Sequence, residues 1–86
     1  MSLEQIRKYI EQDFYLYSNK TRRRIAAGVI TTAQVRQTIL KGTRRKIEAD
    51  ERSDGRFNKY TIHWHDWYVV VKNTDRPFII TAGRLD

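Results

Sequence analysis

The chain has no cysteine. That excludes a disulfide framework and any thiolate metal site, and it suits a reducing compartment. One proline and four glycines in 86 residues leave no flexible linker and no low-complexity tract, and no internal repeat is visible. No apolar run approaches the ~20 residues that a membrane span needs. The opening MSLEQIRKYI lacks the apolar core of a signal peptide, so a cytoplasmic protein without membrane contact is expected. A Gly-rich phosphate loop, a Ser-His-Asp arrangement and a paired-carboxylate signal are all missing. Acidic residues are missing from the middle of the chain: between Phe14 and Ile47 there are nine Lys and Arg and no Asp or Glu.

What is present is positive charge, unevenly placed. Residues 1–49 hold eleven Lys/Arg and four Asp/Glu, whereas residues 50–86 hold six of each, so the whole excess of +7 lies in the first part. A solvated face normally mixes signs. A single-signed stretch makes a field that attracts polyanions. Nucleic acid is the partner this points to, RNA before DNA. The contacts would come from Lys20, Arg22, Arg23, Arg24, Arg44, Arg45 and Lys46. An acidic protein, such as an antitoxin or an inhibitor, would use the same patch.

Local patterns divide the chain into helices, then strands, within a single domain spanning residues 1–86. Ser2 and Gln5 have the spacing of a capping box. Leu3, Ile6, Ile10 and Phe14 follow at helical intervals, predicting a helix over about residues 3–14. The Phe14–Tyr17 stretch either continues it or leaves it as a short extended piece. Ser18 is a second N-cap, for a helix over about 19–27 that Gly28 stops. Its core face would be Ile25 with the alanines. Thr31 and Gln34 form another capping box, and a third helix over about 32–41 ends at Gly42. Beyond it the period changes from helical to alternating. Strands are predicted over about 44–51, 57–64, 67–72 and 78–82, with a hairpin turn at Ser53-Asp54-Gly55. A tight turn is expected at His65-Asp66, and another turn ends at Pro77.

The densest stretch is Thr61–Val71, TIHWHDWYVVV, rich in the β-branched and aromatic residues that favour strands. Tyr60, Ile62 and Trp64 alternate with Thr61 and His63, so Trp64 should be the more buried of the last pair. The unbroken Val69–Val71 run suggests a central strand covered on both faces. The fold class is then α+β: two or three N-terminal helices packed on a four-stranded antiparallel meander.

That order, and particular residues within it, resemble a family of small bacterial domains of unknown function. The residues are Lys20-Thr-Arg-Arg-Arg24-Ile-Ala-Ala-Gly28-Val-Ile30-Thr-Thr-Ala-Gln-Val35, then Gly42, Val69–Val71 and Ile79–Ala82, and the resemblance covers residues 17–84. Arg24 and Ile30 match. Lys20 stands where the family has a His, and Gly28 where it has a second Arg. The family is similar in layout to the RelE/ParE-like toxins and the colicin-type tRNase domains. The resemblance therefore implies a two-layer fold of that kind, and RNA cleavage that needs no metal or other cofactor.

Such cleavage activates a 2′-OH, neutralises charge on the phosphate and protonates the leaving 5′-oxygen. Histidine is the side chain that ordinarily titrates near neutral pH, so His63 is the first acid/base candidate. His65 joins it if no turn intervenes. Arg84, Lys46 or Arg24 would neutralise the phosphate, Thr81 would position it, and Tyr60 or Tyr68 would add acid/base or stacking capacity. His63-x-His65 also has metal-like spacing, but zinc needs a third protein ligand, for which Asp66, Glu48 or Asp50 would have to serve. No metal site is assigned. Two other functions fit the same residues: a nucleic-acid-binding module without catalysis, and an interaction protein that docks its basic face on an acidic partner.

Overall fold

The fold, seen in a computed structural model, is described for residues 2–50 and 56–85. Helix α1 (Leu3–Glu11) starts at its expected cap. Ser2 Oγ accepts the Gln5 N–H at 3.3 Å, and Gln5 Oε1 accepts the Ser2 N–H at 2.8 Å. Ile6 and Ile10 are fully buried. The helix ends three residues short of the expected Phe14. Asp13 takes a left-handed backbone at φ 57. The Phe14 N–H then closes on Tyr9 O at 2.9 Å and the Asp13 N–H on Ile10 O at 3.0 Å, a Schellman ending without glycine. Its side-chain contact is the Tyr9–Phe14 ring pair at 5.5 Å, so Phe14 stays exposed instead of extending the core stripe.

The cause lies in α3 (Thr32–Lys41). Arg36 donates to Ile10 O at 2.7 Å and Glu11 O at 3.3 Å, and it pairs with Asp13 at 2.8 Å. The reverse contact exists too: Arg7 of α1 donates to Ile39 O and Gly42 O, both at 2.8 Å, at the end of α3. Each helix thus closes the other's C-terminal carbonyls, which carry the negative end of the helix dipole. At its other end α3 has the expected capping box of Thr31 and Gln34.

Between them, α2 (Asn19–Ala26) is capped by Ser18 and stopped by Gly28 at φ 77. Its inner face is not the expected alanines, which are exposed, but Thr21, which is fully buried. The Thr21 hydroxyl donates to Ile79 O at 3.1 Å and the Ser18 hydroxyl to Ile80 O at 2.7 Å. Polar pegs, with half-buried Ile25, hold this short helix on the sheet.

The strands are β1 (Leu16–Tyr17), β2 (Thr43–Ala49), β3 (Asn58–Trp64), β4 (Trp67–Lys72) and β5 (Phe78–Arg84), ordered β1-β5-β4-β3-β2. The last four pair antiparallel. The four-stranded expectation is corrected by β1, a two-residue strand running parallel to β5. It is held by the Leu16 N–H on Pro77 O and the Ser18 N–H on Ile79 O, both 2.9 Å. The sheet is therefore five-stranded and mixed. β5 runs two residues further than expected. The expected turn at Ser53-Asp54-Gly55 lies outside the described residues. Burial, and then the hydrogen bond shared with Tyr15, raise the pKa of Tyr17 above the ordinary tyrosine value.

All three helices lie against one face. Tyr60, Ile62, Val69, Val71, Ile79 and Ala82 point into the core there with Ile30, Val35 and Ile39. β4 is central in the order, yet Val70 is only half-buried, so the valine run is covered on one face, not two. Trp64 and His63 are both half-buried. Among the described residues no helix is long and apolar enough to cross a membrane.

Candidate nucleic-acid interface

The other face of the sheet lies away from that core cluster. Pairing register sets which side chains share it. His63 stands opposite Tyr68, which stands opposite Gly83. One step along, Thr61, Val70 and Thr81 form the next row. Directly paired side chains have Cβ atoms about 5 Å apart, so His63 and Tyr68 are neighbours.

Arg24 joins this row from α2. Its Nη1 donates to Tyr68 Oη at 2.7 Å and to Ala82 O at 3.1 Å. It reaches them across Gly83, where a Cβ would lie 2.8 Å from that nitrogen and 3.1 Å from the tyrosine ring. Any larger residue would obstruct the crossing. An imidazole, a phenol and a guanidinium therefore sit side by side on an open surface. The partners Arg24 and Tyr68 are 44 residues apart in sequence, and no local pattern announces their bond.

The four residues assigned to catalysis from the sequence are not brought together. Thr81 shares the face, with a buried hydroxyl that has no hydrogen-bond partner. It is two strands and one row from His63, about 12 Å by strand spacing and rise. His65 is separated by the turn after β3. It has φ 53, is exposed, and packs its ring 4.4 Å from Trp64. Arg84 pairs with Trp67, whose side chain packs against the core. Its guanidinium lies 5.9 Å from that indole, on the opposite face from His63. The turn likewise separates the two histidines as metal ligands. Glu48 pairs with Lys46 at 3.5 Å and Asp50 with Lys72 at 2.5 Å. Among the described residues no three His, Asp or Glu side chains cluster as a metal group would.

The basic stretch also divides. Lys20, Arg22 and Arg23 are exposed on α2, beside β5 and β1. Arg44, Arg45 and Lys46 are exposed on β2, the opposite edge strand, where the register shifts between Arg44 and Lys46. β5 and β2 are three strand spacings apart, about 14 Å. Arg7 and Arg36 are occupied by helix ends. The single-signed run in sequence thus divides between the two sides of the sheet as two positive rims: on β2, Arg44 pairs with Ile62 of the core face and Lys46 with Thr61 of the other, and Arg24 reaches inward from α2. Sequence alone could not place the rims, because strand order decides which elements become edges. Compared with protein-family models, curated proteins and solved structures, the chain matches none.

Proposed function

We propose that this chain binds RNA across the open face of its sheet and cleaves it as a small, toxin-like, metal-independent endoribonuclease. The observation that supports this most is the row formed by His63, Tyr68 and Arg24. The imidazole is suited to take the proton from a 2′-OH as its oxygen attacks phosphorus. Arg24 offers a fixed cation to the charge that grows on the phosphate oxygens. Tyr68, with its hydroxyl held by Arg24, is suited to hand a proton to the departing 5′-oxygen as the P–O bond breaks. The product would be a 2′,3′-cyclic phosphate and a free 5′-hydroxyl. The two positive rims would draw the RNA onto this face. The order of helices then antiparallel strands, with Arg24 and Ile30 at matching positions, supports a RelE/ParE-like layout.

A second reading, an RNA-binding module without cleavage, is favoured by the placement of His65 and Arg84 away from the row. Incubation of RNA with pure protein in excess chelator separates the two. On the cleaving reading, products end in a cyclic or 3′-phosphate, and His63→Ala slows the reaction by ~10²–10⁴-fold, the usual contribution of one general acid or base. RNA affinity stays nearly unchanged in that variant. Binding without any cleavage by the parent protein establishes the second reading. Absence of RNA binding overturns both, and capture of an acidic protein partner then becomes the use of the basic rims.

A further inference from the structure

β2 is the long free edge of the sheet. It ends the strand order, and among the described residues no strand pairs with its outer side. Such an edge is a template for another strand. The Asp50 N–H closes on Phe57 O at 2.9 Å, so Asp50 turns its backbone toward β3. Backbone direction alternates along an antiparallel pair, and Glu48 and Lys46 therefore face β3 as well. Ile47 and Ala49 aim their N–H and C=O groups outward. Ile47 is also 43% exposed, although it stands opposite buried Tyr60. Positive charge and a bulge guard an edge against pairing. Here both devices sit at Arg44, Arg45 and Lys46, and Ile47–Ala49 is left open.

We propose that this edge pairs with β2 of a second copy, antiparallel and centred on Ile47. A two-fold interface sets residues of the same strand against each other in mirrored register. Outward groups must meet outward groups, so the axis passes through a residue and not between two. Centring on Arg45, Lys46 or Glu48 would set that residue against its own copy. Centring on Ala49 would set Glu48 against Asp50. Like charges directly opposite are destabilising, and opposite charges stabilise. Centring on Ile47 sets each Lys46 against the other copy's Glu48 and the two isoleucines against each other. Lys46 and Glu48 already meet at 3.5 Å within one chain, so two copies close a ring of alternating charge. The axis stands perpendicular to the sheet. The two five-stranded sheets then join with their open faces on the same side. The pairing is short, so association is reversible and concentration-dependent.

Sedimentation velocity over a concentration series at physiological ionic strength tests this. There a Debye length of about 8 Å screens the +7 charge of each copy more than it screens the opposed pairs. The parent protein should pass from monomer to dimer as concentration rises. Lys46→Glu and Glu48→Lys should each weaken the dimer roughly 10- to 100-fold, because both cross-strand pairs turn from unlike to like charge. Neither residue belongs to the core, so both variants should keep the parent's thermal unfolding. An equimolar mixture of the two variants should dimerise as the parent does, since every pair is unlike again. So should the double variant. Protection of the Ile47 and Ala49 amides from hydrogen exchange should rise with concentration. A parent that stays monomeric throughout overturns the proposal. So does a dimer that both single variants leave intact, or a mixture that fails to recover.

Discussion

Two faces of one sheet are built from alternate residues of the same strands. On one, Ile62, Val69, Val71, Ile79 and Ala82 are all 0% exposed beneath the helices. On the other, Thr61, His63, Tyr68, Val70 and Thr81 are half-buried. All three helices precede β2 and pack on one side, so one side supplies the apolar contacts that hold the fold. The other is left free for polar and aromatic groups whose replacement costs little stability. The core face and the candidate face thereby alternate along each strand with a two-residue period.

The sharpest way to break that contrast is to truncate one residue on each face of β3. Ile62→Ala removes a side chain at 0% exposure and should cost about 2–5 kcal/mol in urea unfolding, the range for large-to-small core changes. Thr61→Ala, one residue away and half-buried on the open side, should cost under about 1 kcal/mol, in line with changes outside the core. Comparable losses from the two would mean that something covers the open face as firmly as the helices cover the other.

A middle-sized effect contrasts arginines that hold the fold with those that face solvent. Arg36→Ala removes three bonds at the end of α1 and should destabilise the protein by about 1.5–3 kcal/mol, typical for hydrogen bonds to charged groups. Arg22→Ala, on the exposed side of α2, should stay within about 0.5 kcal/mol of the parent. Equal losses would deny Arg36 its role in ending that helix.

These contrasts also mark where the sequence stops being legible. Both capping boxes, the Gly28 stop, the end of α3 at Lys41 and the bounds of β4 can be read locally, because each depends on residues three or four positions apart. The early end of α1 cannot, because Arg36 sets it from 23 residues away from Asp13. β1 has two residues and exists only through pairing with β5, so no alternation reveals it. In the candidate site, only the place of His63 on a strand can be read locally. The partners that matter to it, Tyr68 bonded to Arg24 across Gly83, meet only after the strands are ordered. Arg84, expected in a tail after the last strand, falls within β5 opposite Trp67, and the face it takes is set by a pairing register that no local pattern shows.

The smallest effect tests whether the two rims act together. RNA crossing the open face would meet both α2 and β2, whereas RNA lying along α2 alone would meet only the first. Lys20, Arg22 and Arg23 to Ala form one variant, and Arg44, Arg45 and Lys46 to Ala the other. Arg24 is left intact because its bonds to Tyr68 and Ala82 O belong to the face itself. For single strands the log–log salt slope is about −0.7 per phosphate contacted. Loss of three contacts should therefore flatten the slope by about 2. The differences at any one salt concentration shrink as salt screens the rims. Equal flattening in the two variants places the strand across the sheet, over His63 and Tyr68. Flattening in the α2 variant alone would take the RNA off that face and away from the groups proposed to cleave it, even with overall binding preserved.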